Sequence, residues 1–206
     1  MDTGQVLVGA AVVVAAYLIG GIPFGVVMAR ISGGPDPRTI GSGRTGGANT
    51  MRALGARRAL VAGLLDAAKG SVAVLIAIAL GGGLLLQVLA ALAAILGHSR
   101  SIWIGFAGGR GIAPAFGGLL VIAPVVALII VPIFLIVLVV SRYSSVASLT
   151  ATAIGALIVI GMAVLYQLSP LYVVYAVGAA GMIWLFHLDN IQRLLAGSER
   201  QIEWRR

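Results

Sequence analysis

Long apolar runs constrain this chain more than any other feature. Val6 to Met28, Ala59 to Leu80, Leu149 to Tyr166 and Leu171 to Phe186 each carry few or no charges. As helices such runs match the hydrocarbon core of a bilayer, about 30 Å thick. Inside lipid a backbone must satisfy its own hydrogen bonds, which helices do within one segment. The expected fold is therefore all-α and polytopic, an integral membrane protein rather than a soluble domain. Leu84 to Leu96 adds a shorter run after the Gly81-Gly82-Gly83 turn. Ile112 to Val140 is too long for one crossing, about 44 Å at 1.5 Å per residue. A break at Pro124 resolves it into a half-length Ile112 to Ile122 and a full-length Val125 to Val140. Pro23 is expected to kink the first span, with the freed backbone groups finding partners inside the protein.

That partition gives about seven transmembrane helices, some of them short or broken, in one domain of residues 1–206. The first run is too long for a signal peptide and lacks a basic start, so it reads as a retained span. Hydrophobic residues make up 60% of the chain and charged ones 10%, with a formal net charge of +8. In a soluble protein that charge would point to nucleic acid; here it reports basic loops on one side of a membrane, and no nucleic-acid partner is expected. With the break at Pro124, Arg30, Arg38, Arg44, Arg52, Arg57, Arg58, Arg100, Arg110, Arg142 and the tail arginines Arg193, Arg200, Arg205 and Arg206 all fall on one face. This places the N-terminus, with Asp2, outside and the C-terminus in the cytoplasm. Cysteine is absent, which excludes disulfides, thiolate nucleophiles and cysteine-bound metals.

The polar stretch from Ile40 to Arg52 stands out against this hydrocarbon. Gly41, Gly43, Gly46 and Gly47 permit left-handed backbone and close approach to a ligand. Successive amides in such a turn form an anion site, to which Arg44 and Arg52 add charge. Ser42 lies within it. Asn49 is expected to cap a short helix ending near Gly55. Gly108-Gly109-Arg110-Gly111 repeats the logic: flexible backbone, one guanidinium, then a helix start, again suited to phosphate. His98 and Arg100 precede it in the same loop. Either stretch alone reads equally well as a membrane loop; two on one face favour an anion.

Other polar residues are sparse. Asp66 and Lys69 share a helix face within a span, where an ion pair is the expected reading and a role towards substrate the minority one. His187, Asn190 and Arg193 recur every three residues and form a polar ridge, on what is otherwise an amphipathic tail helix at the membrane surface. Glu199 is expected to anchor an arginine from another loop. Ser144, Ser145 and Ser148 lie in a third polar loop, Ser141 to Ser148; a serine at a helix start is most often a cap, and here it also suits phosphate oxygens. No His-Glu-x-x-His, Gly-x-Ser-x-Gly or Walker loop is present, and no metal or cofactor is expected. Neither histidine has an Asp five residues later, as the His-x4-Asp acyltransferase box requires.

These motifs together resemble the PlsY family, bacterial acyl-phosphate:glycerol-3-phosphate acyltransferases. The likeness runs from Tyr17-Leu18-Ile19-Gly20-Gly21-Ile22-Pro23-Phe24-Gly25 through Gly41-Ser42-Gly43, Gly46, Asn49 and Arg52. It continues with Leu65-Asp66 and Lys69-Gly70, Gly97-His98, the Gly-Gly-Arg-Gly run and Ser145-Val146-Ala147-Ser148. It ends with His187, Asn190-Ile191, Arg193-Leu194, Gly197 and Glu199. Arg44 stands where the family usually has Asn, Arg110 where it has Lys, and Leu188 where it has Arg; Ser101 or a neighbour replaces a usual Pro.

The resemblance implies acyl transfer from acyl phosphate to the sn-1 hydroxyl of glycerol 3-phosphate, at the inner membrane of a bacterium, with membrane lipids around the acyl tail. No protein partner is implied. An activated donor needs no covalent nucleophile; the protein must neutralise two phosphates and align hydroxyl with carbonyl. Arg52, Arg110 and Ser148 are then expected at the phosphate of glycerol 3-phosphate. Ser42, the first-loop amides, His187 and Asn190 are expected at the acyl phosphate and its developing oxyanion. The base is the substrate phosphate or His187. Gly41, Gly43, Gly46, Asn49, His98, Gly108, Gly109, Gly111 and Ser145 are counted as substrate-binding, and Asp66, Lys69 and Glu199 as structural support. The loops are expected to gather at one cytoplasmic rim. Two other classes remain: a small transporter of phosphate-bearing solutes, which needs polar groups reaching both faces, and a membrane phosphatase or CDP-alcohol transferase, which needs a carboxylate cluster.

Overall fold

The computed structural model describes residues 3–202, and every regular element among them is helical. In order these are α1 (Thr3–Gly21), α2 (Phe24–Ile31), α3 (Gly47–Leu54), α4 (Ala56–Ala79), α5 (Leu84–Ser99), α6 (Ile112–Ile122), α7 (Pro124–Ser141), α8 (Ser144–Leu165), α9 (Pro170–Phe186) and α10 (Leu188–Leu195). Short 3-10 turns cover Pro37–Thr39 and Ile102–Ile104. Asp2, Arg205 and Arg206 lie outside the described residues. Five helices are long and apolar enough to cross a membrane: α1, α4, α5 with its 3-10 extension, α7 and α8. The α9–α10 pair, bent by 58°, makes a sixth when taken together. The protein is an integral membrane protein. All seven apolar segments expected from the sequence are helical, and α6, at 11 residues, is the short one.

Pro124 is the first residue of α7, so the long apolar stretch breaks where the charge argument required. A proline suits that position because its missing N–H would be unpaired there anyway. Pro23 does more than kink the first span; it splits it into α1 and α2. Four of the displaced carbonyls find partners. Ile19 O takes the Ile22 N–H (3.1 Å). Leu18 O accepts from Trp103 Nε1 (2.9 Å), Gly21 O from Ser101 Oγ (2.6 Å) and Ile22 O from Lys69 Nζ (2.7 Å). A helix opened at membrane depth is stable only when its freed groups are satisfied in this way.

The chain forms two compact units, one up to Ile122 and one from Ala123 onward. In the first, small residues supply most of the buried positions on α1, α4 and α5, Val74, Val88 and Ile95 fill others, and many large aliphatics face outward. Val12, Ala16, Ala73, Ala77, Ala90 and Ala94 form a buried cluster from α1, α4 and α5, while Leu60 and Leu64 on α4 are exposed. Lipid rewards no burial of large aliphatics, so helices associate through close packing of small residues instead. Glycine sets the approach. A Cβ at Gly20 would strike Ala94, and one at Gly97 the Tyr17 carbonyl, across α1 and α5. Gly70 meets the Pro114 carbonyl and Gly117 the Ala67 carbonyl, across α4 and α6. Ser71 Oγ also donates to Gly117 O (2.8 Å).

In the second unit α8 packs against α7 and α9. Gly155 of α8 accommodates Ile130 of α7, and Tyr175, Ala179 and Ile183 of α9 are buried. The third polar loop is shorter than its sequence implies. The α7 helix runs through Ser141 and α8 begins at Ser144, which puts Ser145 and Ser148 in helical turns.

Candidate functional site

The first motif is built around Asn49. Its carboxamide does not cap α3, whose N-cap is Gly46 and has no side-chain cap. Asn49 sits inside that helix and reaches back to hold the loop. Its Nδ2 lies within hydrogen-bond distance of Ile40 O (2.9 Å), Arg44 O (3.0 Å) and Ser42 Oγ (3.1 Å). Its Oδ1 accepts from Arg52 Nη1 (3.1 Å) and the Ser42 N–H (3.4 Å). Ser42 and Arg52 are thus fixed by one buried side chain. Gly41 and Gly43 take φ of 59° and 69°; a Cβ on Gly41 would also meet Asn49 Oδ1. Gly46 and Gly47 do not use left-handed backbone. The open N-terminus of α3 and exposed Arg52 carry partial and formal positive charge beside the same loop. Thr50, which sequence reading passed over, donates to Gly46 O (3.2 Å) and packs with Thr45 O against Gly25 of α2. A buried threonine one turn into a helix gives little signal in sequence.

The second motif rests on a charged cluster inside the first unit. Lys69 Nζ is 2.6 Å from Asp66 Oδ1, as the three-residue spacing predicts. It also donates to Ile22 O (2.7 Å) and lies 3.0 Å from His98 Nδ1 and 5.6 Å from the centre of the Phe24 ring. His98 falls on the last turn of α5, not in a loop, and is buried. Its carbonyl accepts the Gly109 N–H (3.0 Å). Gly108 and Gly109 are buried, Arg110 is half-buried, and Gly111 turns with φ of 82° into α6. Both loops are therefore tied to the α1–α2 break: the first through Gly25, the second through Lys69 and His98.

In the second unit Glu199 is the organising residue. It accepts from Asn190 Nδ2 (2.5 Å), Ser145 Oγ (2.9 Å) and Arg193 Nε (2.7 Å). The arginine it anchors comes from α10 itself rather than from another loop. Burial pulls the Glu199 carboxyl upward, but these three hydrogen bonds and the Arg193 charge outweigh it and hold it below the ordinary glutamate range. Asn190 is buried, with its Oδ1 lacking a hydrogen-bond partner among the described residues. His187 ends α9 and is buried; its Nδ1 lies 2.8 Å from Ile183 O. A carbonyl only accepts, so in the neutral ring the proton sits on Nδ1 and Nε2 is the acceptor. Ser148 Oγ donates to Ser144 O (2.7 Å), leaving its lone pairs for an incoming donor. Among the described residues no three His, Asp or Glu side chains gather as metal ligands would.

Comparison with known proteins bears on what these sites do. Residues 10–197 match the glycerol-3-phosphate acyltransferase family. Glycerol-3-phosphate acyltransferase 2 of Moorella thermoacetica is 43% identical over 190 residues, covering 92% of this chain and 95% of that protein. Glycerol-3-phosphate acyltransferase 3 of Dehalococcoides mccartyi is 36% identical, covering 93% and 94%. Two crystal structures of PlsY, an integral membrane glycerol 3-phosphate acyltransferase, are each 34% identical. The glycerol 3-phosphate form superposes with a TM-score of 0.85 over 95% of this chain and 96% of that one. The lysophosphatidic acid form superposes with 0.84 over 95% of each.

Proposed function

Because the chain belongs to the glycerol-3-phosphate acyltransferase (PlsY) family, we propose that it transfers an acyl group from an acyl phosphate to the sn-1 hydroxyl of glycerol 3-phosphate. The hydroxyl oxygen attacks the acyl carbonyl, the carbonyl–phosphate bond breaks, and lysophosphatidic acid and inorganic phosphate leave. An acyl phosphate is already activated, so no acyl-enzyme forms. The work of the protein is charge neutralisation and alignment. The reaction takes place at the cytoplasmic face of a bacterial inner membrane, with the acyl tail among lipids. Residues 1–206 act as one acyltransferase domain.

The observation that carries this reading is the Asn49-centred loop, which holds a serine hydroxyl, an arginine and an uncapped helix start in one place. In this reading Ser42 and the loop amides take the acyl phosphate. Arg52, Arg110 and Ser148 take the phosphate of glycerol 3-phosphate. Gly41, Gly43, Gly46, Gly108 and Gly111 shape the two cradles. Asn190 offers its second amide proton to the developing oxyanion, and its unpartnered Oδ1 suits the attacking hydroxyl. The proton leaves to the substrate phosphate, or to Nε2 of His187. Arg110, in place of the usual Lys, keeps the charge and adds a planar fork. Arg44 adds a cation beside the first cradle.

The test is phosphate release by purified protein given acyl phosphate, with and without glycerol 3-phosphate. Turnover is expected only with both substrates, unchanged by EDTA, and lost by at least about 100-fold in Ser42→Ala and Arg52→Ala. Equal release from unrelated phosphoesters, or full activity in both variants, would overturn the assignment.

A further inference from the structure

We infer that the imidazole of His98 is a positioning group: it is the floor on which the second glycine loop sits, and it sets the placement of Arg110. The inference rests on the role assigned above to Arg110. His98 is locked from below. Lys69 holds it, and Lys69 is itself held by Asp66, Ile22 O and the Phe24 ring. An ammonium only donates, so Nδ1 accepts and the ring proton sits on Nε2, at the edge facing Gly109. From above, the Gly109 N–H is pinned to the His98 carbonyl at 3.0 Å. A Cβ on Gly109 would then fall at the Nε2 edge of the ring.

The two glycines before Arg110 differ in what confines them. The three atoms nearest to a Cβ built on Gly109 all belong to the His98 imidazole: Nε2, with Cε1 at 2.9 Å and Cδ2 at 3.0 Å. Its backbone is not in the left-handed region, so contact with the ring, rather than φ, is what favours glycine there. A Cβ on Gly108 would instead meet backbone: the His98 carbonyl oxygen and, at 2.9 Å, the carbonyl carbon and oxygen of Ser99. Removing the His98 side chain therefore opens space at Gly109 and none at Gly108. This contrast separates a ring that positions the loop from one that merely fills space, and gives it an internal control. It also assigns Lys69 and Asp66 a task beyond neutralising each other, because they fix the height of the ring.

The experiment is a pair of double-mutant cycles: Gly109→Ala and Gly108→Ala, each with and without His98→Ala. KM for glycerol 3-phosphate and kcat are read separately, and a melting temperature is taken in detergent. Gly109→Ala is expected to raise that KM by at least about tenfold with a smaller effect on kcat, since Arg110 is displaced from a bound phosphate. Adding His98→Ala is expected to restore at least about half of that loss on a logarithmic scale, and to leave Gly108→Ala unrestored. His98→Ala alone raises KM less than Gly109→Ala, as the loop keeps its backbone bond. Equal restoration in both cycles, or none in either, would overturn the inference, as would changes confined to melting temperature. Absence of glycerol 3-phosphate-dependent turnover in the unsubstituted protein would instead sink the assigned function; the melting-temperature cycle would still report whether ring and loop are coupled.

Discussion

Removing the Lys69 ammonium should cost more than removing both members of its ion pair. The two side chains are 6% (Asp66) and 2% (Lys69) exposed and 2.6 Å apart. Lys69→Met leaves a buried carboxylate without its ammonium, a loss of about 3–5 kcal/mol in such pairs. It also removes the charged donor from Ile22 O, which keeps only the Phe24 N–H (3.2 Å), a loss of about 1–3 kcal/mol for a hydrogen bond from a charged group. The single variant should therefore lose about 4–8 kcal/mol, most of the stability of an ordinary domain. In Asp66→Asn/Lys69→Met the stranded charge is gone and only the Ile22 term remains, about 1–3 kcal/mol. The double variant should be more stable than the single one by at least about 2 kcal/mol. Reversible unfolding in mixed micelles, followed by helical circular dichroism, reads the difference. Additive losses would refute the reasoning, because they would mean that neither group depends on the other for its burial.

Two further outcomes follow from the geometry. Glu199 and Asp36 both titrate below their ordinary values of about 4.5 and 3.8, Asp36 chiefly through its hydrogen bond from Arg38. A depressed carboxyl binds fewer protons folded than unfolded, so its contribution is present above the ordinary value and lost as pH falls through the folded one. Melting temperature should thus fall on acidification from about pH 6 to about pH 3, with a shallower slope in Glu199→Gln and in Asp36→Asn; unchanged slopes would contradict this. On α4, Gly70→Ala should destabilise by about 1–3 kcal/mol, because its methyl meets the rigid Pro114 carbonyl across the α4–α6 contact. Gly63→Ala on the same helix, with nothing within 4 Å, should be neutral or slightly stabilising, and equal effects would argue against the packing described.

The two glycine-arginine loops, the Asp66–Lys69 pair and the division of Ile112 to Val140 at Pro124 were all legible in sequence. Each depends on something local: hydropathy over one segment, a spacing of three on a helix, or a ring that lacks an N–H. The end of α3 at Gly55 was legible for the same reason, and the family likeness tied the motifs to one activity. Other features were decided by packing. Asn49 reads as a cap from its neighbours, yet the helix starts earlier, at Gly47, and frees its amide to hold Ile40, Ser42, Arg44 and Arg52. His98 reads as a loop residue, yet one more helical turn buries it against Lys69, 29 residues away. Ser145 and Glu199 meet across 54 residues. Pro23 announces a kink, but whether the helix bends or parts depends on donors elsewhere in the chain, here Ser101, Trp103 and Lys69. Propensity and periodicity act over one or two turns, and so they determine which segments enter the bilayer. The partner of a buried polar group is chosen by whichever distant atom packing brings within about 3 Å, and only the folded chain makes that choice.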